Sequence, residues 1–174
     1  MLVIAATARE LGKTQNGAVC GVGPVDAAAV TAALIAERHP KAVLHVGLAG
    51  LRGYKGPELV IGLDAIYCDS DSKLVTKQVE PDPVLLSRAT GAFPGARVCT
   101  IGMSGRVGGT AGVDVEAMEG FAVLRACKLA GVPALEVRAI CNDVDEPDRS
   151  KWEFEKALDL LHGALPQLLA ALDG

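Results

Sequence analysis

The sequence predicts an α/β fold, a central sheet flanked by helices, and three observations carry the prediction. Apolar residues make up 50% of the 174 positions, enough for a substantial core. Aromatic residues contribute only 3% while glycine occurs 20 times, so Ala, Val, Leu and Ile must fill close-packed helix-on-sheet layers. Strand-like and helix-like segments alternate almost throughout. No linker, repeat or low-complexity tract divides the chain, and residues 1–174 are expected to form one domain.

The elements follow in order. Leu2–Ala6 is a buried strand, and Gly17–Cys20 a short strand or its return. Pro24 occupies a first helical position, opening an Ala-rich helix over Val25–Arg38. Ala42–Val46 is a strand that ends in the glycine-rich Gly47-Leu48-Ala49-Gly50. Leu59–Ile61 and Asp64–Tyr67 are two further strands, Pro83–Thr90 a short helix, and Arg97–Gly102 a strand. Val115–Ala130 has apolar residues at helical spacing until Pro133 breaks it, and Ala134–Cys141 is a strand. The last helix runs from Ser150 to Leu172, opened by the capping box Ser150-x-x-Glu153. Gly102–Asp114, rich in glycine, is expected to be a mobile loop near a site.

Composition excludes several classes of function. A net charge of −4 with scattered Lys and Arg counts against nucleic acid. Cys20, Cys68, Cys99, Cys127 and Cys141 are odd in number and form no C-x-x-C pair. Most of them read as buried thiols in a reducing compartment. His39, His45 and His162 lie too far apart to suggest a zinc site. The start Met1-Leu2-Val3-Ile4-Ala5-Ala6-Thr7 has no basic stretch and reads as a strand, not a signal peptide. No apolar run is long enough to cross a bilayer, so a soluble, cytoplasmic protein with no membrane partner is expected.

Two glycine patterns mimic phosphate and dinucleotide sites. Thr7-x-x-x-x-Gly12-Lys13-Thr14 ends like a P-loop. Its first glycine is replaced by Thr7, and the turn residues Gln15-Asn16-Gly17 follow where a helix dipole is needed. Gly21-x-Gly23-x-x-Asp26 lacks the third glycine of a dinucleotide fingerprint, and the strand Ala42–Val46 does not end in an acid. It reads as a tight turn into a helix.

Three polar segments remain: Thr7-Ala8-Arg9-Glu10, Asp114 to Gly120, and Val137 to Asp143. Ligands of open α/β sheets bind beyond the carboxyl ends of strands, where Glu10 and Asn142 converge if both segments are placed as above. Glu116 and Glu119 share a face if their segment is helical. Each residue also has a purely structural use. Glu10 can close a capping box with Thr7, Glu119 can sit solvated at a helix start, Met118 can fill core, and Asn142-Asp143 can cap a loop.

Longer matches go beyond pattern. Gly21-Val22-Gly23-Pro24-Val25-Asp26-Ala27-Ala28 resembles the G-I-G-x-V-x-A-A segment of bacterial methylthioadenosine/S-adenosylhomocysteine nucleosidases, and Val46-Gly47-Leu48-Ala49-Gly50 their T-G-x-A-G. Glu116-Ala117-Met118-Glu119-Gly120 is similar to their E-M-E-A and to the E-N-M-E-G of futalosine hydrolases. Arg138-Ala139-Ile140-Cys141-Asn142 matches R-A-I-S-D of the former and R-A-I-S-N of the latter. Asp145 to Trp152 resembles the futalosine hydrolase stretch V-E-P-R-D-R-x-x-W. The chain is thereby identified as resembling the nucleoside phosphorylase and nucleosidase superfamily.

That resemblance implies a three-layer sandwich with a mixed central sheet, in shortened form. It implies hydrolysis of the N-ribosidic bond of a purine nucleoside, with no metal or organic cofactor. Glu10 matches the carboxylate that activates water. Glu119 matches the acceptor of both ribose hydroxyls, and Met118 lies beside sugar and base. Asn142 replaces an aspartate that supplies a proton at the purine N7. An amide offers donor and acceptor together, which suits a 6-oxopurine such as that of futalosine. Asp143 is the substitute if the strand register shifts by one. Ala49, Gly50 and Glu116 are implied as further substrate-binding residues, and a homodimer or higher oligomer as the assembly.

The family supplies a base-contacting aromatic loop in the region of residues 53–114. This chain is short there and offers only Tyr54, Tyr67 and Phe93. Val107-Gly108-Gly109-Thr110 is expected as a bare loop in its place. Two alternatives stay open: a phosphorylase, with Arg52 and Arg106 holding phosphate, and a non-catalytic nucleoside-binding protein.

Overall fold

A computed structural model of the chain describes residues 1–173. Its strands are β1 (Leu2–Ala5), β2 (Gly17–Val19), β3 (Val43–Leu51), β4 (Leu59–Tyr67), β5 (Gln78–Val79), β6 (Arg97–Met103), β7 (Val115–Ala117) and β8 (Ala134–Asn142). Its helices are α1 (Ala8–Leu11), α2 (Pro24–Arg38), α3 (Pro83–Ala92), α4 (Gly120–Ala130) and α5 (Phe154–Leu172). All eight strands join one mixed sheet with helices on both faces. The expected fold class is therefore observed.

β3 organises the sheet. One of its edges carries β1, in parallel register from Leu2↔Val43 to Ile4↔His45. Its other edge carries β8 in parallel from Val43↔Ala134 onward. Beyond β1, the first edge is taken over by β7, antiparallel at Gly50↔Glu116 and Leu51↔Val115. β8 also pairs with β4, β4 with β6 and β6 with β7, so five strands close into a ring. Val60, Ile101, Val115 and Ile140 are fully buried in it. Between β1 and β7, the edge of β3 around Gly47-Leu48-Ala49 is left without a strand partner. That gap is the fork in which the candidate site lies.

Two layers cover the sheet. α2 and α4 pack on one face through Leu34, Ile35, Val123 and Leu124. α5 packs on the other through Leu161, Leu165, Leu168 and Leu172. Each such leucine removed from water contributes about 1.5–3 kcal/mol. β8 is buried along all nine residues, as a strand covered on both faces must be.

Several expected boundaries differ. The glycine-rich Gly47–Gly50 does not end a strand; β3 runs through it, because β8 and β7 supply ladder partners. The two strands expected over Leu59–Tyr67 are one strand, irregular between Gly62 and Asp64. The helix expected over Val115–Ala130 is a strand followed by a helix, because Val115-Glu116-Ala117 closes the ring between β3 and β6. Ser150 caps no long helix: residues Arg149–Lys151 form a separate turn capped by Asp148, and α5 begins at Phe154.

Candidate active site

Thr7, just past β1, is the N-cap of the four-residue α1 and accepts the Glu10 N–H at 3.3 Å. Its hydroxyl also donates to Glu10 Oε2 at 2.7 Å. This local closure, read from the sequence as an alternative to catalysis, instead aims the carboxylate. Glu10 reaches across the fork, where its Oε1 accepts the unpaired N–H of Leu48 at 2.9 Å. Gly47 makes the approach possible. A Cβ there would lie 2.7 Å from Glu10 Oε1 and 2.3 Å from Arg138 Nη1.

Arg138 is fully buried on β8, in register with Gly47. Its Nε donates to Glu136 Oε1 at 2.7 Å, and its Nη2 to His45 Nε2 at 2.5 Å. The other nitrogen of His45 donates to the Ile4 carbonyl at 3.0 Å. Burial, then the neighbouring guanidinium, holds the His45 pKa well below its ordinary value, so the ring is a neutral acceptor. Arg138 Nη1 lies 3.6 Å from Glu119 Oε2. Its own pKa is raised: burial opposes the charge, and Glu136, Glu119 and Glu10 outweigh it. Glu136 Oε2 has no hydrogen-bond partner and faces Gly120 at the start of α4.

Glu119 directly precedes α4 and is 4% exposed. Its Oε1 accepts the Gly23 N–H at 3.1 Å. The turn at Gly21–Gly23, with positive φ at both glycines, thus presents an N–H to a carboxylate and not to a dinucleotide. Burial raises the Glu119 pKa, and Arg138 only partly offsets it.

Asn142 ends β8, opposite Gly50 across an irregularity in the register. Its Nδ2 donates to the Asp143 carbonyl at 2.8 Å, and its Oδ1 accepts from the Cys141 thiol at 3.1 Å. Burial pushes that thiol up to about 12, so it remains a donor. Asp143 is a different matter. Its carboxylate accepts the N–H groups of Gly53, Tyr54 and Asp145. The register shift brings Asn142 to the cleft, and Asp143, the expected substitute, pins a loop outside it.

These side chains line one cleft of about 310 Å³, within the range of small-molecule sites. Glu10, Ala49, Gly50, Glu116, Met118, Glu119 and Asn142 all border it. Glu116 and Glu119 do not share a helix face, since a strand holds one and a helix start the other. Glu116 accepts from the Gly108 N–H and from both donors of Thr110. Arg52 pairs with Asp145 and Arg106 lies among Asp69 and Gly109; neither lines the cleft.

The residue pattern did not mark Arg138, His45 or Glu136 as a buried unit, nor an aromatic wall made by Trp152 and Phe154. Both rings border the cleft, 5.5 Å apart. The wall comes from Trp152, just before the last helix, and Phe154, its first residue, not from residues 53–114. Its one sequence signal was the tryptophan of the Asp145–Trp152 match. With three buried carboxylates around one guanidinium, the site favours a cation developing between Glu10 and Glu119.

Comparison with known proteins places the chain in a family and a fold. A family model described as the phosphorylase superfamily matches residues 6–172. A futalosine hydrolase of Streptomyces coelicolor is 38% identical over 102 residues, which is 52% of this chain and 43% of that protein. The match thus spans less than half of the relative's length. The fold is shared with a methylthioadenosine/S-adenosylhomocysteine nucleosidase of Neisseria meningitidis solved with methylthio-immucillin-A: TM-score 0.81, 23% identity, 98% of this chain and 96% of that one. It is shared also with a futalosine hydrolase mutant of Helicobacter pylori: TM-score 0.83, 17% identity, 97% of each chain.

Proposed function

The chain belongs to the phosphorylase superfamily, and from that premise we propose that it hydrolyses the N-ribosidic bond of a purine nucleoside. A 6-oxopurine nucleoside such as futalosine is the proposed substrate, and the free base the product. The observation that carries the proposal is the setting of Glu10. Thr7 and Leu48 fix its two oxygens from the protein side, and the group still borders the cleft that holds Glu119 and Asn142.

In this reading Glu10 takes a proton from water as the oxygen attacks the anomeric carbon. Positive charge builds on the ribose ring as the glycosidic bond breaks, and Glu10 and Glu119 stabilise it. Glu119 accepts from the ribose hydroxyls, with Met118 alongside. Asn142 donates to the departing purine through the Nδ2 proton not given to Asp143. Arg138 holds Glu119 and Glu136 in place and partly offsets the burial that raises their pKa. No step calls for a metal or organic cofactor.

The phosphorylase alternative needs a cationic anion pocket in the cleft. Arg52 and Arg106 lie outside its lining, Arg9 borders it but is paired with Glu155, Arg138 is engaged by carboxylates, and Leu48 offers no hydroxyl. Water is the better fit. Incubation with futalosine, inosine and methylthioadenosine, with and without phosphate, tests the reading through chromatography of free base. Phosphate-independent release of hypoxanthine is expected, with futalosine preferred. Release only with phosphate overturns hydrolysis, and nucleoside binding without release makes the chain a binding protein.

Association into a homodimer belongs to the same proposal. α2 and α4 frame an apolar groove of about 910 Å³, on which Val25 is 78% and Leu129 72% exposed. Val22 borders the cleft and Pro24, two residues on, borders the groove, so a second copy there would stand beside the substrate. A cytoplasmic location is proposed with it: all five cysteines are free thiols, as in a reducing compartment. No helix among the described residues is long and apolar enough to cross a membrane.

A further inference from the structure

The loop from Ser104 to Val113 is held more firmly than its composition suggests. Glycine stands at 105, 108, 109 and 112, and ordering glycine costs more backbone entropy than ordering any other residue. Two carboxylates nevertheless pin it. Asp69 accepts from the Ser104 hydroxyl at 2.6 Å and from the Gly105 N–H at 2.7 Å. Glu116 accepts the Gly108 N–H at 2.6 Å, the Thr110 N–H at 3.1 Å and the Thr110 hydroxyl at 2.9 Å. Ser104 and Thr110 are wholly buried, and Glu116 is 6% exposed.

Between the two pins stands Val107, the one residue of the loop that lines the cleft. The wall is adjacent to Asn142 for a geometric reason. Glu116 on β7 opposes Gly50 on β3, and Gly50 opposes Asn142 on β8. Opposed residues of a sheet project to one face, and Gly50 between them has no side chain. The carboxylate that holds the loop and the amide that meets the purine therefore flank one bare position.

We propose that Glu116 is a positioning residue: by holding Gly108 and Thr110 it latches the 104–113 loop so that Val107 walls the purine side of the cleft, and it thereby sets affinity for the base. This rests on the purine reading above. Three hydrogen bonds already converge on the Glu116 carboxylate, which leaves little capacity for a ligand. Losing them releases the Gly108–Thr110 half of the loop, while the Asp69 contacts to Ser104 and Gly105, and Glu10 and Glu119, stay as they are.

Hydrogen exchange in the free protein reads the latch, and calorimetry with hypoxanthine reads the wall. In E116A, the Gly108 and Thr110 amides should exchange at least about tenfold faster than in the parent protein. Hypoxanthine Kd and nucleoside KM should each rise about tenfold, with kcat within about threefold. E116Q, which keeps one accepting oxygen, should fall between, and T110V should shift all three readings less but in the same direction. If E116A does not fold, T110V carries the test, since it removes a single bond. Unchanged exchange in E116A overturns the latch, and a fall in kcat at constant KM overturns the positioning role. Failure of the parent protein to bind hypoxanthine sinks the purine reading and the affinity claim with it; exchange then decides the latch alone.

Discussion

At the scale of residues, the proposed hydrolysis rests on buried carboxylates made to stay close. Glu10→Gln removes the proton acceptor while keeping size and the Leu48 contact, so kcat should fall about 10²–10⁴-fold with little change in base binding. Gly47→Ala should do comparable harm without removing a reacting group, because its Cβ would meet Arg138 at 2.3 Å and Glu10 at 2.7 Å. A buried guanidinium has nowhere to move. In the proposed role Glu119 accepts hydroxyls as a carboxylate, and burial raises its pKa above 4.5 against the opposing pull of Arg138. The acid limb of kcat/KM should therefore lie above pH 4.5 and move higher in Arg138→Met, where that cation is lost; a downward move would contradict the assignment. Stability follows the opposite sense. The folded state holds this proton more tightly than the unfolded chain, so the contribution is fullest below the unfolded value and is lost as pH rises through the folded one. Glu10, Met118, Glu119 and Asn142 were legible in the sequence because short motifs carry them. Arg138, His45 and Glu136 were not, because a strand buried on both faces shows no alternation to mark which side chains meet.

At the scale of elements, most of the alternation was legible and the short pieces were not. Val115-Glu116-Ala117 spans three residues, too few for a period-two pattern, and the apolar spacing beyond it is helical. Only its partners on β3 and β6 make it a strand. The consequence is functional, since it separates Glu116 from Glu119 and gives the loop its latch. The β3–β8 irregularity is likewise invisible in the residue order, yet it decides that Asn142 and not Asp143 reaches the cleft. Gly50→Ala tests that junction. A Cβ there would lie 3.0 Å from Asn142 Nδ2 and 3.1 Å from Val144 Cγ2. Neighbours pressed by a few tenths of an ångström should cost KM and kcat more than the thermal midpoint. Leu161→Ala in α5 should do the reverse. That side chain is fully buried and does not line the cleft, so unfolding by urea should show a loss of about 2–5 kcal/mol with kcat retained.

At the scale of the whole molecule, the fork is the organising feature. β1 leaves β3 after His45 and β7 joins it at Gly50; the edge between them donates the Leu48 N–H to Glu10. A diverging sheet edge thus becomes a floor for chemistry, as at the switch points of open α/β sheets. The same arrangement leaves α2 and α4 on an outer face with Val25 and Leu129 uncovered, and the homodimer reading makes a direct forecast. Sedimentation should find a dimer, and Leu129→Glu a monomer with a higher KM; a monomeric parent protein would contradict it. Whether water is the nucleophile is the central claim, and one measurement reaches it most directly. The reaction with a purine nucleoside is run in oxygen-18-labelled water with phosphate present, and the sugar product is examined by mass spectrometry. Free sugar carrying the label on its anomeric oxygen is the predicted result. Unlabelled sugar 1-phosphate would contradict the role given to Glu10 and make the enzyme a phosphorylase.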